Sequence, residues 1–164
     1  MESSPGAAEA PQTLQFIDTM TANHQGAINI ALLANTRTQR DEVRKLAGSV
    51  ITELRRETAD LKAWRAKWFG DEKPAVNMEF PGMKTSIAGI DTVKLAGLKY
   101  NEFDVEFIRQ MIANHEGAIE MAKALKTDDN YAELTNLANS VVTSRSTEIE
   151  RMKGLQATWS TMAK

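Results

Sequence analysis

Two nearly identical stretches decide the fold of this chain: "MTANHQGAI" at residues 20–28 and "MIANHEGAI" at residues 111–119. The two histidines of the 164 residues, His24 and His115, occupy the same place in each stretch. The same offset of 91 residues continues without a gap through Phe16 and Phe107, Leu46 and Leu137, Glu57 and Glu148, and Trp68 and Trp159. The sequence therefore predicts an internal duplication, with a pseudo-two-fold axis that relates its halves.

Apolar residues recur at steps of three and four through both halves, which predicts amphipathic helices. The capping residues indicate where these helices begin and end. The predicted starts are Thr13, Asp41, and Asn101 or Asp104, and Gly70 is a predicted stop. Polar turns at residues 35–39 and 126–130 separate the two helices of each half.

The repeats cover residues 13–69 and 104–160, and the linker 70–103 is too long for a tight turn. Within this linker, residues 85–95 are expected to form a short helix. We therefore predict an all-α fold: a ferritin-like four-helix bundle built from two duplicated helical hairpins and joined by a long crossover. Residues 13–164 form one domain, and residues 1–12 are expected to be a flexible leader that lacks the features of a signal peptide.

The composition limits the classes of function. Apolar residues make up 42% of the chain and charged residues 26%, and the net charge is −2. A nucleic-acid surface would require a basic excess, so no nucleic-acid partner is expected. No apolar run reaches the roughly 20 residues that span a bilayer. Because the chain has no cysteine, disulfides and thiolate metal sites are excluded.

Each histidine follows a methionine by four residues, Met20 before His24 and Met111 before His115. An α-helix turns by about 100° per residue, so each pair lies about 40° apart on one helix face. If the duplicated helices face each other across the axis, the four side chains converge in the core. Imidazole and thioether ligands suit Cu(I) or Ag(I) better than Mg, Ca or structural zinc. The alternative is that both histidines are hydrogen-bonded core residues that bind nothing.

Six further residues are candidates for the support of such a site: Asn23, Asn114, Glu57, Glu148, Met121 and Met83. The asparagines either join helices by hydrogen bonds or face solvent. The glutamates are either surface charges or carboxylates that fix the tautomer of an imidazole. The two methionines supply auxiliary thioethers or pack in the core.

The pattern Phe-Ile-x-x-Met-x-x-x-His-x-x-Ala-Ile resembles the domain of unknown function 305 family. The "PGM" at residues 81–83, the "FD" at residues 103–104 and the stretch 137–155, in which Glu-Ile precedes Met, are similar to that family as well. The resemblance implies a ferritin-like bundle that is frequently exported to the periplasm or secreted. It also implies a link to copper, since some members are periplasmic copper-binding proteins.

The chain departs from this family at the motif itself. Asn23 and Asn114 stand where the family has the first of two adjacent histidines, so only His24 and His115 carry over. A copper site would lack two imidazoles and would be weaker than in relatives. The family's later methionine is retained at Met121 but is Ile30 in the first repeat, and its glutamine is replaced by Leu54 and Arg145.

Three functions compete at this point. The first is a soft-metal protein that sequesters or delivers Cu(I) or Ag(I) in an extracytoplasmic compartment. The second is a binding or structural module in which the histidines only pack. The third, a di-iron oxidase, needs Glu three residues before each histidine, but Thr21 and Ile112 occupy these positions. No nucleophilic or phosphate-loop motif is present, so we expect no enzyme, and the oligomeric state stays open.

Overall fold

The structure is a computed structural model that describes residues 1–162, without the side chains of residues 160 and 162. Its α-helices are α1 (Gln12–Leu32), α2 (Ala34–Arg37), α3 (Asp41–Phe69), α4 (Met83–Ala88), α5 (Thr92–Gly97), α6 (Tyr100–Ala124) and α7 (Ala132–Met162). Short 3-10 turns lie at Ala7–Glu9 and Asp129–Tyr131, and these 162 residues contain no strand. The predicted all-α class is confirmed. Within the same residues, no helix combines the length and the apolar character needed to cross a bilayer.

The four long helices form two hairpins, α1 with α3 and α6 with α7. Gln12 at the start of α1 donates a hydrogen bond to the main-chain oxygen of Ala124 at the end of α6, at 2.8 Å. Arg40, just before α3, lies over the ring of Trp159 near the end of α7, 4.5 Å from its centroid. The helices are therefore antiparallel across the hairpins, and residues 70–99 connect opposite ends of the bundle. The ferritin-like assignment stays a prediction.

Three of the helix boundaries show how local chemistry sets them. Pro11, and not Thr13, precedes α1, because a proline with φ −52° needs no N–H before the first turn. Arg40 precedes α3, so Asp41 lies within the first turn, where a carboxylate complements the helix dipole. The predicted stop at Gly70 is confirmed, and its φ of 45° lies in a region that favours glycine.

The linker contains two short helices instead of the single helix predicted over residues 85–95. Residues 89–91 separate α4 from α5, and the Asp91 side chain accepts a hydrogen bond from the N–H of Lys94 at 2.8 Å. This capping bond begins a new helix instead of continuing the old one. α6 then begins at Tyr100, one residue before Asn101, the nearer of its two predicted starts.

The first residues, expected to be a flexible leader, lie against the linker. The N–H of Ser4 donates to the main-chain oxygen of Val76 at 2.8 Å. The N–H of Met78 donates to the hydroxyl of Ser3 at 2.9 Å. Ala7, in the first 3-10 turn, is buried. These contacts attach the leader to the start of the crossover.

The core consists of two apolar clusters with a polar layer between them. The Met20 cluster includes Phe16, Ile17, Met20, Leu61, Phe80, Met83, Ala118, Met121, Leu134 and Val141. The Met111 cluster includes Ala27, Ile30, Leu46, Val50, Leu54, Phe103, Phe107, Ile108, Met111 and Met152. On each long helix, buried polar residues fall between the parts that belong to the two clusters: Asn23, His24, Glu57, Asn114, His115 and Arg145. We refer to these six residues, together with Glu148, as the polar layer.

Candidate metal centre

Each histidine of the polar layer is held by a glutamate of its own hairpin. The Nε2 atom of His24 lies 2.7 Å from Oε2 of Glu57, and the Nε2 atom of His115 lies 2.6 Å from Oε2 of Glu148. Both rings are essentially inaccessible to solvent. The two pairs are equivalent under the offset of 91 residues. Of the two alternatives for these glutamates, the contacts favour carboxylates that orient an imidazole over surface charges.

Protonation in these pairs follows from burial and charge. Burial lowers the pKa of His24 and of His115, and the hydrogen bonds to the glutamates offset only part of this effect. Burial would raise the pKa of Glu57 and of Glu148, but the histidine hydrogen bonds and the charge of Arg145 outweigh it and lower both pKa values. Each pair therefore consists of a neutral imidazole and a carboxylate.

This protonation state leaves one free nitrogen on each ring. Nε2 carries the proton and donates it to the carboxylate, so Nδ1 has a lone pair. Nδ1 of His115 is buried and has no hydrogen-bond partner. Nδ1 of His24 lies 3.3 Å from Oδ1 of Asn23, which is itself an acceptor as oriented. Nδ1 of His115 is therefore the unpartnered ring nitrogen of the layer, whereas Nδ1 of His24 faces the amide oxygen of Asn23.

Arg145 connects the two pairs. Its Nη2 atom lies 2.7 Å from Oε2 of Glu57, and its Nη1 atom lies 3.7 Å from Oε2 of Glu148 and 3.0 Å from Oε1 of Glu53. The side chain is buried, and a buried charge requires partners of opposite sign. The equivalent position in the first hairpin is Leu54, so only one half of the molecule supplies this cation.

Asn23 and Asn114 join α1 to α6, which decides between the two alternatives left by the sequence. Each side-chain amide donates to the main-chain oxygen of the other residue, at 3.4 and 3.3 Å. The Asn23 amide also donates to the hydroxyl of Ser86 in α4, at 2.8 Å. A Cβ atom on Gly117 would lie 2.1 Å from that hydroxyl oxygen, so glycine permits α4 to contact α6 closely. The linker thus covers one side of the polar layer.

The methionines do not converge at one point. Met20 lies in the same buried cluster as Met83 and Met121, whereas Met111 lies in the other. Because α1 and α6 are antiparallel, the turn before each histidine extends toward a different end of the bundle. The structure therefore does not gather Met20, His24, Met111 and His115 at one point, and their role as metal ligands stays a prediction.

Sequence reasoning missed two residues at this centre. Ser86 lies in the linker, where no periodicity marks buried positions. Glu53 precedes Glu57 by four residues and so lies on the same helix face, a spacing that could have revealed it. In the described part of the chain, no three histidine, aspartate or glutamate side chains are arranged to hold a metal ion.

By its fold and this layer, the chain is an all-α protein whose core contains two pairs of an imidazole and a carboxylate. The chain belongs to the family described as domain of unknown function (DUF305), whose model matches residues 13–156. This family is the one that the sequence motifs resemble. No curated protein matches the chain.

Solved structures extend the comparison. CopM in the Cu(I)-bound form is 35% identical, with 90% of this chain and 96% of CopM covered and a TM-score of 0.75. CopM in the Ag-bound form, obtained by co-crystallization, is 33% identical with the same coverage and a TM-score of 0.74. A DUF305 protein from Streptomyces coelicolor is 27% identical, with 89% of this chain and 91% of that chain covered and a TM-score of 0.76. These similar structures include metal-bound proteins.

Proposed function

We propose that this protein binds a soft monovalent metal ion, Cu(I) or Ag(I), and sequesters or delivers it outside the cytoplasm. The proposed ligands are His24 with the thioether of Met20, and His115 with the thioether of Met111. One observation carries the proposal: a glutamate holds each ring through Nε2, at 2.7 and 2.6 Å, and leaves Nδ1 as the donor nitrogen. Copper or silver as the metal is supported by CopM, which has Cu(I)-bound, Cu(II)-bound and Ag-bound forms, and the monovalent state rests on the thioether ligands. The compartment rests on the family resemblance.

The residues present fit such an ion. A histidine that binds a metal through one ring nitrogen usually donates its other N–H to a carboxylate or carbonyl, which is the arrangement of both pairs. Buried polar atoms normally have a hydrogen-bond partner, so the orphaned Nδ1 of His115 is a position that a cation would satisfy. Nitrogen and thioether sulfur together favour a soft, monovalent ion.

The arrangement of the methionines favours two binding positions over one. Met20 precedes His24 by one helical turn in α1, and Met111 precedes His115 by one turn in α6, so each helix supplies its own pair. On the Met20 side, Met83 and Met121 are buried in the same cluster and offer auxiliary thioethers. We therefore infer that the two pairs bind unequally, with stronger binding at the pair in α1.

A second candidate function is a binding or structural module in which the histidines only stabilise the core. The observation that favours it is the hydrogen bonding of both buried rings to glutamates, which is how a histidine without a ligand is satisfied in a protein interior. This candidate predicts that added Cu(I) leaves the stability of the protein unchanged.

Thermal unfolding under anaerobic, reducing conditions separates the two functions. With Cu(I) at 100 times its dissociation constant, the stability of the wild type should rise by about 2.7 kcal/mol. The variant with His24→Gln and His115→Gln is the control, because a glutamine amide can still donate to each glutamate but is a poor ligand for Cu(I). An unchanged melting temperature in the wild type would favour the structural module. An equal rise in the variant would exclude the histidines as ligands.

A further inference from the structure

A groove runs along the surface of the first hairpin, between α1 and α3. It consists of two neighbouring cavities of about 540 and 370 Å³, which share the side chains of Gln25 and Lys62. Both volumes lie in the range of small-molecule sites, roughly 300–1,000 Å³. None of the residues that line the groove belongs to the polar layer, so the groove is a separate candidate site.

The larger cavity has apolar walls and a closed end. Ile17 and Ala22 of α1 form part of its lining. Arg65 closes the end, because its Nε atom donates to Oδ1 of Asp18 at 2.9 Å and its terminal nitrogens donate to three main-chain oxygens of residues 70–73, at 2.7–3.2 Å. These bonds attach the start of the linker to the hairpin. The cavity is therefore already formed in the absence of a ligand.

The smaller cavity combines apolar side chains with two cations. Ile28 and Leu32 of α1 line it, and Leu32 is 47% exposed. Arg55 and Lys62 also line it, and a spacing of seven residues places them two turns apart on one face of α3. In the described part of the chain, neither cation forms an ion pair. Unpaired cations beside apolar surface are complementary to an anion with an apolar tail.

We propose that this groove binds a small amphipathic carboxylate, with its anionic group between Arg55 and Lys62 and its apolar tail in the larger cavity. The charge of Asp18 is already paired with Arg65. The carboxylate of Glu72 lines the larger cavity and repels an anion from that end, which sets the direction of the ligand. Because the end is closed, the groove suits a free small molecule better than a helix or a bilayer surface.

The second hairpin does not repeat this pattern of charges. At the offset of 91 residues, Glu116 occupies the position of Gln25, and Ser146 occupies the position of Arg55. One cation is thus absent, and a carboxylate is present that would repel an anion. The chemistry of the groove is therefore a property of the first hairpin and does not follow from the duplicated fold.

The linker also lies against the corresponding surface of the second hairpin. A Cβ atom on Gly89 would lie 3.0 Å from Cβ of Ala113, the counterpart of Ala22. The main-chain oxygen of Gly89 accepts a hydrogen bond from Arg109, the counterpart of Asp18, at 3.2 Å. The crossover thus occupies in one hairpin the positions that line the larger cavity in the other.

Titration of the intact protein with octanoate, followed by the NMR signals of its backbone amides, tests the inference. The largest shifts should lie in residues 17–32 and 55–65. Octanoate should bind about 15-fold more tightly than hexanoate, since each buried methylene contributes about fourfold. Octylammonium has the same tail and the opposite charge, and it should bind at least about tenfold more weakly than octanoate because Arg55 and Lys62 repel it.

Charge reversal locates the anionic group. Arg55→Glu and Lys62→Glu should each weaken octanoate binding by at least about tenfold, because a charge-assisted contact becomes a repulsion. Lys153→Glu is the matched control, since Lys153 is the exposed counterpart of Lys62 in α7, and it should leave the affinity unchanged. All three substitutions lie at exposed helix positions, so the fold should be retained, which circular dichroism checks.

Three results would overturn the inference: no shift of the groove amides with octanoate, equally tight binding of octylammonium, or an equal loss of affinity in Lys62→Glu and Lys153→Glu. Binding of phosphatidylglycerol vesicles or of an acidic helical peptide, without binding of octanoate, would also contradict it. The outcome is separate from that of the proposed function. A wild type that binds octanoate but no Cu(I) would support the groove and contradict the metal site.

Discussion

The side-chain amide of Asn23 donates to the main-chain oxygen of Asn114 at 3.4 Å, and the amide of Asn114 donates in return to the main-chain oxygen of Asn23 at 3.3 Å. The two residues lie at equivalent positions of the repeat, so this reciprocal contact is what a two-fold axis between α1 and α6 would produce. The internal duplication stays a prediction, which this contact and the paired His–Glu contacts support.

Asn23→Ala and Asn114→Ala should both destabilise the protein, and Asn23→Ala should do so more. Each substitution leaves buried groups without a partner, at a cost of about 1–3 kcal/mol. Asn23 also loses its hydrogen bond to Ser86. Urea unfolding measures the difference, with Asn35→Ala at an exposed position of α2 as the control. Equal losses from the two substitutions would show that the contact with α4 contributes nothing.

The two motif glycines should respond differently to alanine. A Cβ atom on Gly117 would lie 2.1 Å from Oγ of Ser86 and 2.4 Å from the main-chain oxygen of Gly82, whereas on Gly26 it would make an ordinary contact with Ile90 at 3.5 Å. Gly117→Ala should therefore destabilise the protein by about 1–3 kcal/mol or more through overpacking. Gly26→Ala should be neutral, or stabilising by up to about 1 kcal/mol. Chemical unfolding of both variants compares them directly, and similar values would contradict the close contact of α4 with α6.

Glu106 should give the protein a pH-dependent stability at low pH. The Arg109 guanidinium, followed by Gln110 and Lys94, lowers the pKa of Glu106 to about 2 from 4.5, although burial acts in the opposite direction. Between about pH 2 and about pH 4.5 the unfolded chain therefore binds more protons than the folded chain. The stabilisation by ionised Glu106 is complete above about pH 4.5 and is lost as the pH falls through about 2.

The stability difference between the wild type and Glu106→Gln measures this contribution. Urea midpoints collected from pH 6 downward should converge for the two proteins as the carboxyl becomes protonated. Exposed Arg109 limits the size of the effect, because solvent screens its charge. A difference that stays constant down to about pH 2 would mean that packing, and not charge, explains the role of Glu106.

Glu57→Gln should destabilise the protein more than Glu148→Gln. Glu57 is almost fully buried and contacts both His24 and Arg145 at 2.7 Å, whereas Glu148 is 17% exposed and lies 3.7 Å from Arg145. Loss of one partner from a buried ion pair costs about 3–5 kcal/mol. Thermal unfolding with Glu150→Gln as the exposed control ranks the three variants. The reverse order would indicate that Arg145 is held chiefly by other groups.

The fold can be predicted from the sequence because its main signals are periodic. The apolar stripes predict the long helices, and the repeat offset of 91 residues by itself relates Glu57 to Glu148. Helix starts are harder to predict, since Pro11 and Arg40 lie before their helices without a side-chain cap. The sequence predicts one helix where the linker has two, because a single capping residue, Asp91, decides where the second helix begins.

The candidate site is only partly predictable, because its contacts join residues from different helices. The motif indicates the histidines, but not the direction of each methionine along an antiparallel pair, so Met20 and Met111 were expected to meet. The hydroxyl of Ser86 reaches Asn23 only through the path of the crossover, which no periodicity encodes. The pairing of Arg145 with Glu57 depends on how the two hairpins face each other.

The role of the thioethers has its own test. Met20→Leu and Met111→Leu preserve apolar volume but remove the sulfur, so the fold should be retained while Cu(I) binding weakens. Met152→Leu is the matched control, since Met152 is equally buried and is not a proposed ligand. Because Met83 and Met121 lie near Met20, we expect Met111→Leu to abolish its site more completely. If none of the three substitutions changes the affinity for Cu(I), the thioethers are not ligands, and the prediction is contradicted.

The central claim is that the Nδ1 atoms of His24 and His115 bind a soft monovalent ion. Competition between the protein and a chromogenic Cu(I) chelator tests it most directly, with the wild type beside the His24→Gln/His115→Gln variant at matched concentrations. We predict that the wild type removes Cu(I) from the chelator and that the folded variant does not. Equal Cu(I) uptake by the two proteins, or no uptake by the wild type, would contradict the claim.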